Sequence, residues 1–124
     1  MKIIIETISH KSHRYETVGD WYFKKGDLYV FVSDMKCVNY EFLIAIHEAI
    51  EAQLCCVRGI DEKKITAFDK RFENKRKKGN TDEPGDSPKA PYRKEHFFAT
   101  NIERQIAHEL GVDWTKYEQK INSL

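Results

Sequence analysis

The sequence has almost no net charge and no apolar run long enough to cross a bilayer. Its 21 lysines and arginines nearly balance 20 aspartates and glutamates, which leaves a formal charge of +1 over 124 residues. This balance gives no global electrostatic reason to expect nucleic acid or a membrane surface as a partner. A transmembrane helix needs about 20 apolar residues in a row, and no signal-peptide pattern is seen. We therefore expect a cytoplasmic protein that does not enter a membrane.

Cysteine and proline are also scarce. There are three cysteines, an odd number, and the adjacent Cys55 and Cys56 point to different faces of a helix. This arrangement argues against a disulfide framework and favours a reducing compartment. All three prolines fall between residues 84 and 91, so the segments before and after that loop are free to form regular structure.

Hydrophobic patterning predicts strands first and helices afterwards. KIIIETI (2–8) is typical of a strand, and TVGDWYF and LYVFVSD flank the turn KKGD, which is a hairpin signal. Helices are predicted at 40–57, 61–74 and 94–110, with a short last helix in VDWTKYEQKI. The predicted fold is α+β, one domain over 1–124. A three-stranded antiparallel meander (1–35) would pack on three main helices of a helical part (36–124).

The segment 75–92 is a long polar loop that holds all the prolines. A loop of this length in so small a domain is expected to be either functional or disordered. From the sequence, a lid over one end of the domain and a disordered segment are both possible.

The first predicted helix carries a polar seam through an apolar surface. His47 and Glu51 are four residues apart and lie between apolar rows, with Glu48 beside them. A helix that is apolar on nearly every side is a buried one, and a buried charge must be paired or must bind a metal ion. We therefore expect this seam to face a cation, an arginine or a polar ligand.

The other helices repeat the pattern. His96 and Glu103 share an edge of the third helix, and Asp69 and Glu73 border the apolar stripe of the second. Histidine with carboxylates suits Zn, Mn or Fe, and Mg less well. The sequence thus predicts a divalent metal site with Glu48 as the general base for a water molecule. The predicted ligands are His47, Glu51, His96 and Glu103, the last either a ligand or a partner of one, and Asp69 and Glu73 would support the site or hold a second metal.

Two basic residues begin the same helix as His96. Arg93 and Lys94 are predicted to bind an anion at the helix N-terminus, which favours a nucleotide or phosphoester substrate. The leading hypothesis is a small metal-dependent hydrolase acting on a small molecule. The alternatives are a non-catalytic protein that binds a nucleotide-like ligand or a host protein, and a seam closed by internal salt bridges. Oligomeric state does not follow from the sequence.

Two features of the sequence resemble known families. AIHEAIEA (45–52) is similar to the metal-binding helix of zincin metallopeptidases, although Ile50 replaces the usual glycine and Glu51 the second zinc histidine. This resemblance implies a peptidase as a further alternative. The paired acids on successive helices also look like those of all-α nucleotide pyrophosphatases, which hold Mg.

Over nearly its full length the chain resembles small phage and prophage proteins. The resemblance rests on YEFLIAIHEAIEA, DEPGDSPKAPYR and EHFFATNIERQIAHELGVDW. It implies a virus-encoded accessory protein that acts in the bacterial cytoplasm, and it does not indicate which activity the protein has.

Overall fold

A computed structural model describes residues 1–124, and the fold is α+β, as predicted. The strands are β1 (Ile3–Ile8), β2 (Gly19–Lys24) and β3 (Asp27–Ser33). The helices are α1 (Val38–Val57), α2 (Glu62–Asn74), α3 (Arg93–Glu109) and α4 (Trp114–Asn122). Single turns of 3₁₀ helix occur at His10–Ser12 and Pro84–Asp86. None of the helices combines the length and apolar composition needed to cross a membrane.

The sheet is mixed, so the predicted antiparallel meander is wrong for β1. The strand order is β1-β3-β2, with β3 in the centre. β2 and β3 form the predicted hairpin through Lys25 and Gly26, whose φ angles of 51° and 81° suit a tight hairpin turn. β1 instead pairs parallel to β3. The physical reason is the long polar link 9–18, which lets the chain pass to the far edge of β3 instead of turning back at once.

α1 is the central helix of the molecule. It packs against β2 and β3 on one side and against α3 on the other. Its Leu43, Ala52 and Cys55 are fully buried together with Leu28 and Val30 of β3. The polar seam of α1 faces α3, so its charged groups meet those of a second helix inside the protein.

The loop 75–92 is packed against the helical layer. The 3₁₀ turn at Pro84–Asp86 contacts both α2 and α3. Gly85 is buried there, and a Cβ atom on it would lie only 2.3 Å from Cγ of His96. Only a glycine lets the loop backbone lie this close to the imidazole ring. The loop therefore forms one wall of the polar site.

Candidate metal centre

Three buried side chains point one atom each at a common position. Nε2 of His47 lies 3.2 Å from Oε2 of Glu51 and 3.2 Å from Nδ1 of His96. Nδ1 of His96 lies 3.1 Å from the same Glu51 oxygen. Ligands of a tetrahedral zinc ion are about 3.3 Å apart, given metal–ligand bonds of about 2.0–2.1 Å. These three atoms therefore have the spacing of three ligands on one face of a small cation, and the group could hold a metal ion.

The three residues of this group come from two helices. His47 and Glu51 are one turn apart on α1 and project side by side, while His96 comes from the first turn of α3. All three are nearly inaccessible, at 6%, 5% and 5% exposure. Burial of ionisable groups to this degree is unfavourable unless each is hydrogen-bonded, paired or bound to a metal.

Glu103 binds the other side of His47. Its Oε1 lies 2.8 Å from Nδ1 of His47, and its Oε2 accepts a 2.6 Å hydrogen bond from the hydroxyl of Tyr117. The carboxylate thus favours a proton on Nδ1 and leaves Nε2 directed at the common position. Of the two roles predicted for Glu103, the geometry favours the partner of a ligand, since Glu103 is outside the group of three.

His96 has a similar arrangement on its far nitrogen. Nε2 of His96 lies 3.0 Å from Oε2 of Glu83 and 3.2 Å from Oδ1 of Asp86, both on the loop. Neither contact has the alignment of a full hydrogen bond, but both carboxylates lie within ion-pair distance of this nitrogen. Each histidine therefore has a carboxylate on the nitrogen that faces away from the group of three.

Glu51 is held so that one oxygen remains for the site. The indole Nε1 of Trp21 donates a 3.0 Å hydrogen bond to Oε1 of Glu51. Burial raises the pKa of Glu51, but hydrogen bonds from His47 and His96 outweigh it and lower the pKa to about 2. The carboxylate is ionised at any physiological pH.

Comparison with protein-family models, with curated proteins and with solved structures finds no match. The chemistry of the site therefore rests on its own geometry.

Without a cation, the three contacts among Nε2 of His47, Nδ1 of His96 and Oε2 of Glu51 cannot all be favourable. Burial lowers the pKa values of both histidines, but the surrounding carboxylates outweigh it; they raise the pKa of His47 well above its usual value and that of His96 to about 12. If both rings are protonated, two N–H groups face each other across 3.2 Å. If one ring is neutral, its lone pair faces Oε2 of Glu51. One contact is repulsive in either case, whereas a cation at the centre makes all three attractive.

Glu48 lies beside this group without a hydrogen-bond partner in the protein. Its carboxylate packs against Gly19, where a Cβ atom would be 2.8 Å from Oε1 of Glu48. Burial, and then the charge of Glu51, raise the pKa of Glu48 well above its usual value. A raised pKa means that this carboxylate binds a proton more strongly than an exposed glutamate does, and its oxygens have no other partner in the protein.

Asp69 and Glu73 have different environments. Asp69 accepts hydrogen bonds from the hydroxyls of Tyr92 (2.6 Å) and Tyr15 (3.0 Å). Burial, opposed by these two bonds, raises the pKa of Asp69 to about 7. Glu73 instead binds Arg76 through both of its oxygens. Neither residue joins the group of three, and the ion pair with Arg76 leaves Glu73 little capacity for a second metal.

Arg93 and Lys94 are outside the site. Both are exposed, and the guanidinium of Arg93 lies 4.9 Å from the ring centre of Phe97. Neither lines the cleft of about 270 Å³ that opens over the candidate ligands. Acids outnumber lysine and arginine among the residues that do line it: ten are acidic, among them Asp20, Glu48 and Asp69, and Arg76 is the one basic side chain of the two types. The predicted anion site therefore has no support from the geometry of the cleft.

Sequence reasoning missed several residues that complete the site. Glu83 and Asp86 lie in a loop whose path is set by packing, so no local pattern could place them on His96. Trp21 and Tyr117 also complete the site, through their hydrogen bonds to Glu51 and Glu103. The sequence does carry a signal for these two residues, because a buried indole or phenol needs a hydrogen-bond acceptor. Glu51 and Glu103 were acids to which the sequence had assigned no hydrogen-bond donor.

Proposed function

We propose that the protein is a metal-dependent hydrolase whose divalent cation is held by His47, Glu51 and His96. The observation that carries this proposal is the group of three mutually contacting ligand atoms, each backed by a carboxylate or an indole. Two imidazoles and one carboxylate suit Zn, Mn or Fe better than Mg. Three protein ligands also leave coordination positions open, as a catalytic site requires and a structural zinc site does not.

The cation and the protein have separate roles in this proposal. When bound, the cation acts as a Lewis acid and lowers the pKa of a water molecule bound to it. Glu48 accepts the proton of that water molecule, and its lack of any other partner leaves an oxygen available. Glu103 and the pair Glu83 and Asp86 fix the ring orientations of the two histidines. Trp21 keeps one oxygen of Glu51 directed at the cation.

The cleft favours an amide or ester substrate over a nucleotide. Ten carboxylates face one arginine, Arg76, in its lining, and this excess of negative charge would repel a polyphosphate. Arg93 and Lys94, which had favoured a phosphoester, do not line it, and Arg76, which does, is paired with both oxygens of Glu73. This leaves a carbonyl substrate, including a peptide, as the class that the surroundings accept best. The order of a histidine, a general base and a second ligand on one helix is also compatible with the zincin-like alternative.

The test measures metal content and hydrolysis in three variants. Glu51→Gln should lose the metal, Glu48→Gln should keep the metal but lose hydrolysis, and Glu109→Gln, an exposed acid on α3, should behave as the parent. Metal content is measured after reconstitution with Zn, Mn and Fe, and hydrolysis with a panel of amide, ester and phosphodiester substrates. Circular dichroism confirms that each variant is folded.

Each outcome decides between the hypotheses. If the parent protein binds no metal, or if Glu51→Gln binds it as well as the parent, the metal site proposed here is wrong. If the parent binds metal but hydrolyses none of the substrates, the non-catalytic binding protein replaces the hydrolase. If phosphodiesters alone are cleaved, the substrate class is wrong and the metal site stands.

A further inference from the structure

The outer edge of β1 is unpaired along the whole strand. β1 lies at one end of the strand order, and only its inner side is bonded to β3. The amide of Leu28 donates to the carbonyl of Lys2 (2.9 Å), and the amide of Asp34 donates to the carbonyl of Ile8 (2.7 Å). In a parallel pair these bonds use the even-numbered residues of β1. The amides and carbonyls of Ile3, Ile5 and Thr7 therefore point outward with no partner.

The opposite edge of the sheet is protected. On β2 the amide of Phe23 donates to the carboxylate of Glu62 (3.1 Å), and Thr17 bonds to both backbone groups of Gly19. Natural proteins usually shield an edge strand with charges, prolines, bulges or a covering element. β2 has such cover, whereas β1 has neither a proline nor a bulge.

β1 also exposes apolar side chains on the face that should be covered. The register pairs Ile3 with Leu28 and Ile5 with Val30, so these isoleucines share the face on which α1 packs. α1 packs over β2 and β3, and Ile3 and Ile5 remain 56% and 50% exposed. An apolar strand with a free edge is a surface that another strand can complete.

We propose that this surface binds β1 of a second copy of the chain, antiparallel, to form a continuous six-stranded sheet. A twofold axis through Ile4 places Ile3 opposite Ile5 of the second copy. Because odd-numbered residues have outward amides, Ile3 and Ile5 form the hydrogen-bonded pairs. Ile4 then meets its own counterpart on the opposite face.

Charge selects this register among the alternatives. With the axis at Ile4, Lys2 of each copy lies opposite Glu6 of the other, which gives two cross-strand ion pairs. With the axis at Ile5, Glu6 of one copy lies opposite Ile4 of the other, and the ion pairs are lost. With the axis at Glu6, the Glu6 residues of the two copies lie opposite each other. Opposite charges across strands stabilise a pair and like charges destabilise it. Lys2 and Glu6 are both exposed, and their side chains have no ion-pair partner within the chain.

The test is a charge exchange followed by sedimentation equilibrium. The full chain should sediment as a reversible dimer. Lys2→Glu and Glu6→Lys should each raise the dissociation constant by roughly fivefold or more, because every substitution acts twice across the axis. The double variant Lys2→Glu with Glu6→Lys should restore the parent value. Lys64→Glu, which makes the same charge change at an exposed position on α2, should have no effect.

Hydrogen exchange provides a second measurement on the unmodified chain. The amides of Ile3, Ile5 and Thr7 should exchange slowly at high protein concentration and rapidly on dilution, whereas those of Ile4, Glu6 and Ile8 should be protected at both. A monomer at all concentrations overturns the proposal. A dimer that the double exchange does not rescue, or in which these three amides remain unprotected, shows that the copies meet elsewhere.

Discussion

At the scale of single residues, the site is a set of carboxylates that fix the protons of two histidines. Glu103 holds the Nδ1 proton of His47, and Tyr117 holds Glu103. Both of these hydrogen bonds are buried, and the atoms that form them have no other partner. The orientation of Nε2 of His47 thus depends on a residue outside the group of three.

We predict that Glu103→Gln weakens metal binding without preventing folding. A glutamine can still accept a hydrogen bond from His47, but it no longer provides the charge that makes the imidazole a strong ligand. The loss in metal affinity should be roughly 10-fold to 100-fold, as is usual for such partners. Competition with a chromogenic chelator measures the affinity, and Glu109→Gln is the control. Equal affinities for Glu103→Gln and the parent would remove Glu103 from the site.

A second prediction at this scale concerns pH. The pKa of Asp69 is about 7 in the folded protein, against about 3.8 when the chain is unfolded. Between these values the folded state holds a proton that the unfolded state has released, so stability falls as pH rises from about 4 to about 7. Its contribution to the free energy of unfolding should fall by on the order of 3 kcal/mol.

This contribution is isolated by comparing the parent with Asp69→Asn. Urea unfolding of the metal-free proteins at several pH values from 4.5 to 7.5 gives the difference in free energy of unfolding. The parent should lose its advantage over the variant as pH rises, while Asp82→Asn, at an exposed position, should run parallel to the parent. A difference that stays constant over this range means that Asp69 is already ionised in the folded protein.

At the scale of elements, the sequence predicted what local patterns encode and missed what depends on pairing. The helices begin and end within two residues of their predicted bounds, because Gly59, Gly111, Asp61 and Asp113 mark their ends. The partner of β1 was wrong, since nothing within KIIIETI distinguishes pairing with β2 from pairing with β3. The His–Glu seam on α1 was readable from the helical period, but the loop that brings Glu83 to His96 was not.

We predict that Gly85→Ala displaces this loop from the site. The new Cβ atom would lie 2.3 Å from Cγ and 2.5 Å from Nδ1 of His96, so either the loop backbone or the ring must move. Either movement separates His96 from Glu83 and Asp86. Metal affinity should fall by about tenfold, and stability by roughly 1–3 kcal/mol, as for other overpacked positions. Thr81→Ala, at an exposed position in the same loop, is the matched control.

Both losses are measurable by chelator competition and by urea unfolding. A variant that keeps the affinity and stability of the parent would show that the loop does not press on His96 in solution. A loss of stability alone would show that the loop packs there without tuning the ligand.

At the scale of the whole molecule, the site joins elements that are distant along the chain. The candidate ligands from α1 and α3 are held in place by β2 through Trp21, by α4 through Tyr117 and by the loop through Glu83. In the metal-free protein these elements enclose a cluster of buried charges with at least one repulsive contact. A cation that binds the folded state alone should therefore stabilise the whole fold.

We predict that metal raises the melting temperature of the parent protein and not that of Glu51→Gln. A ligand present at about 100 times its dissociation constant adds about 2.7 kcal/mol to the free energy of unfolding. For a chain of this size the melting temperature should then rise by about 10 °C. Scanning calorimetry with and without Zn or Mn, followed by a chelator to reverse the shift, measures this effect. Mg should produce a smaller shift at the same concentration, because two of the three ligands are imidazoles. Equal shifts in the parent and in Glu51→Gln would place the bound metal elsewhere on the molecule.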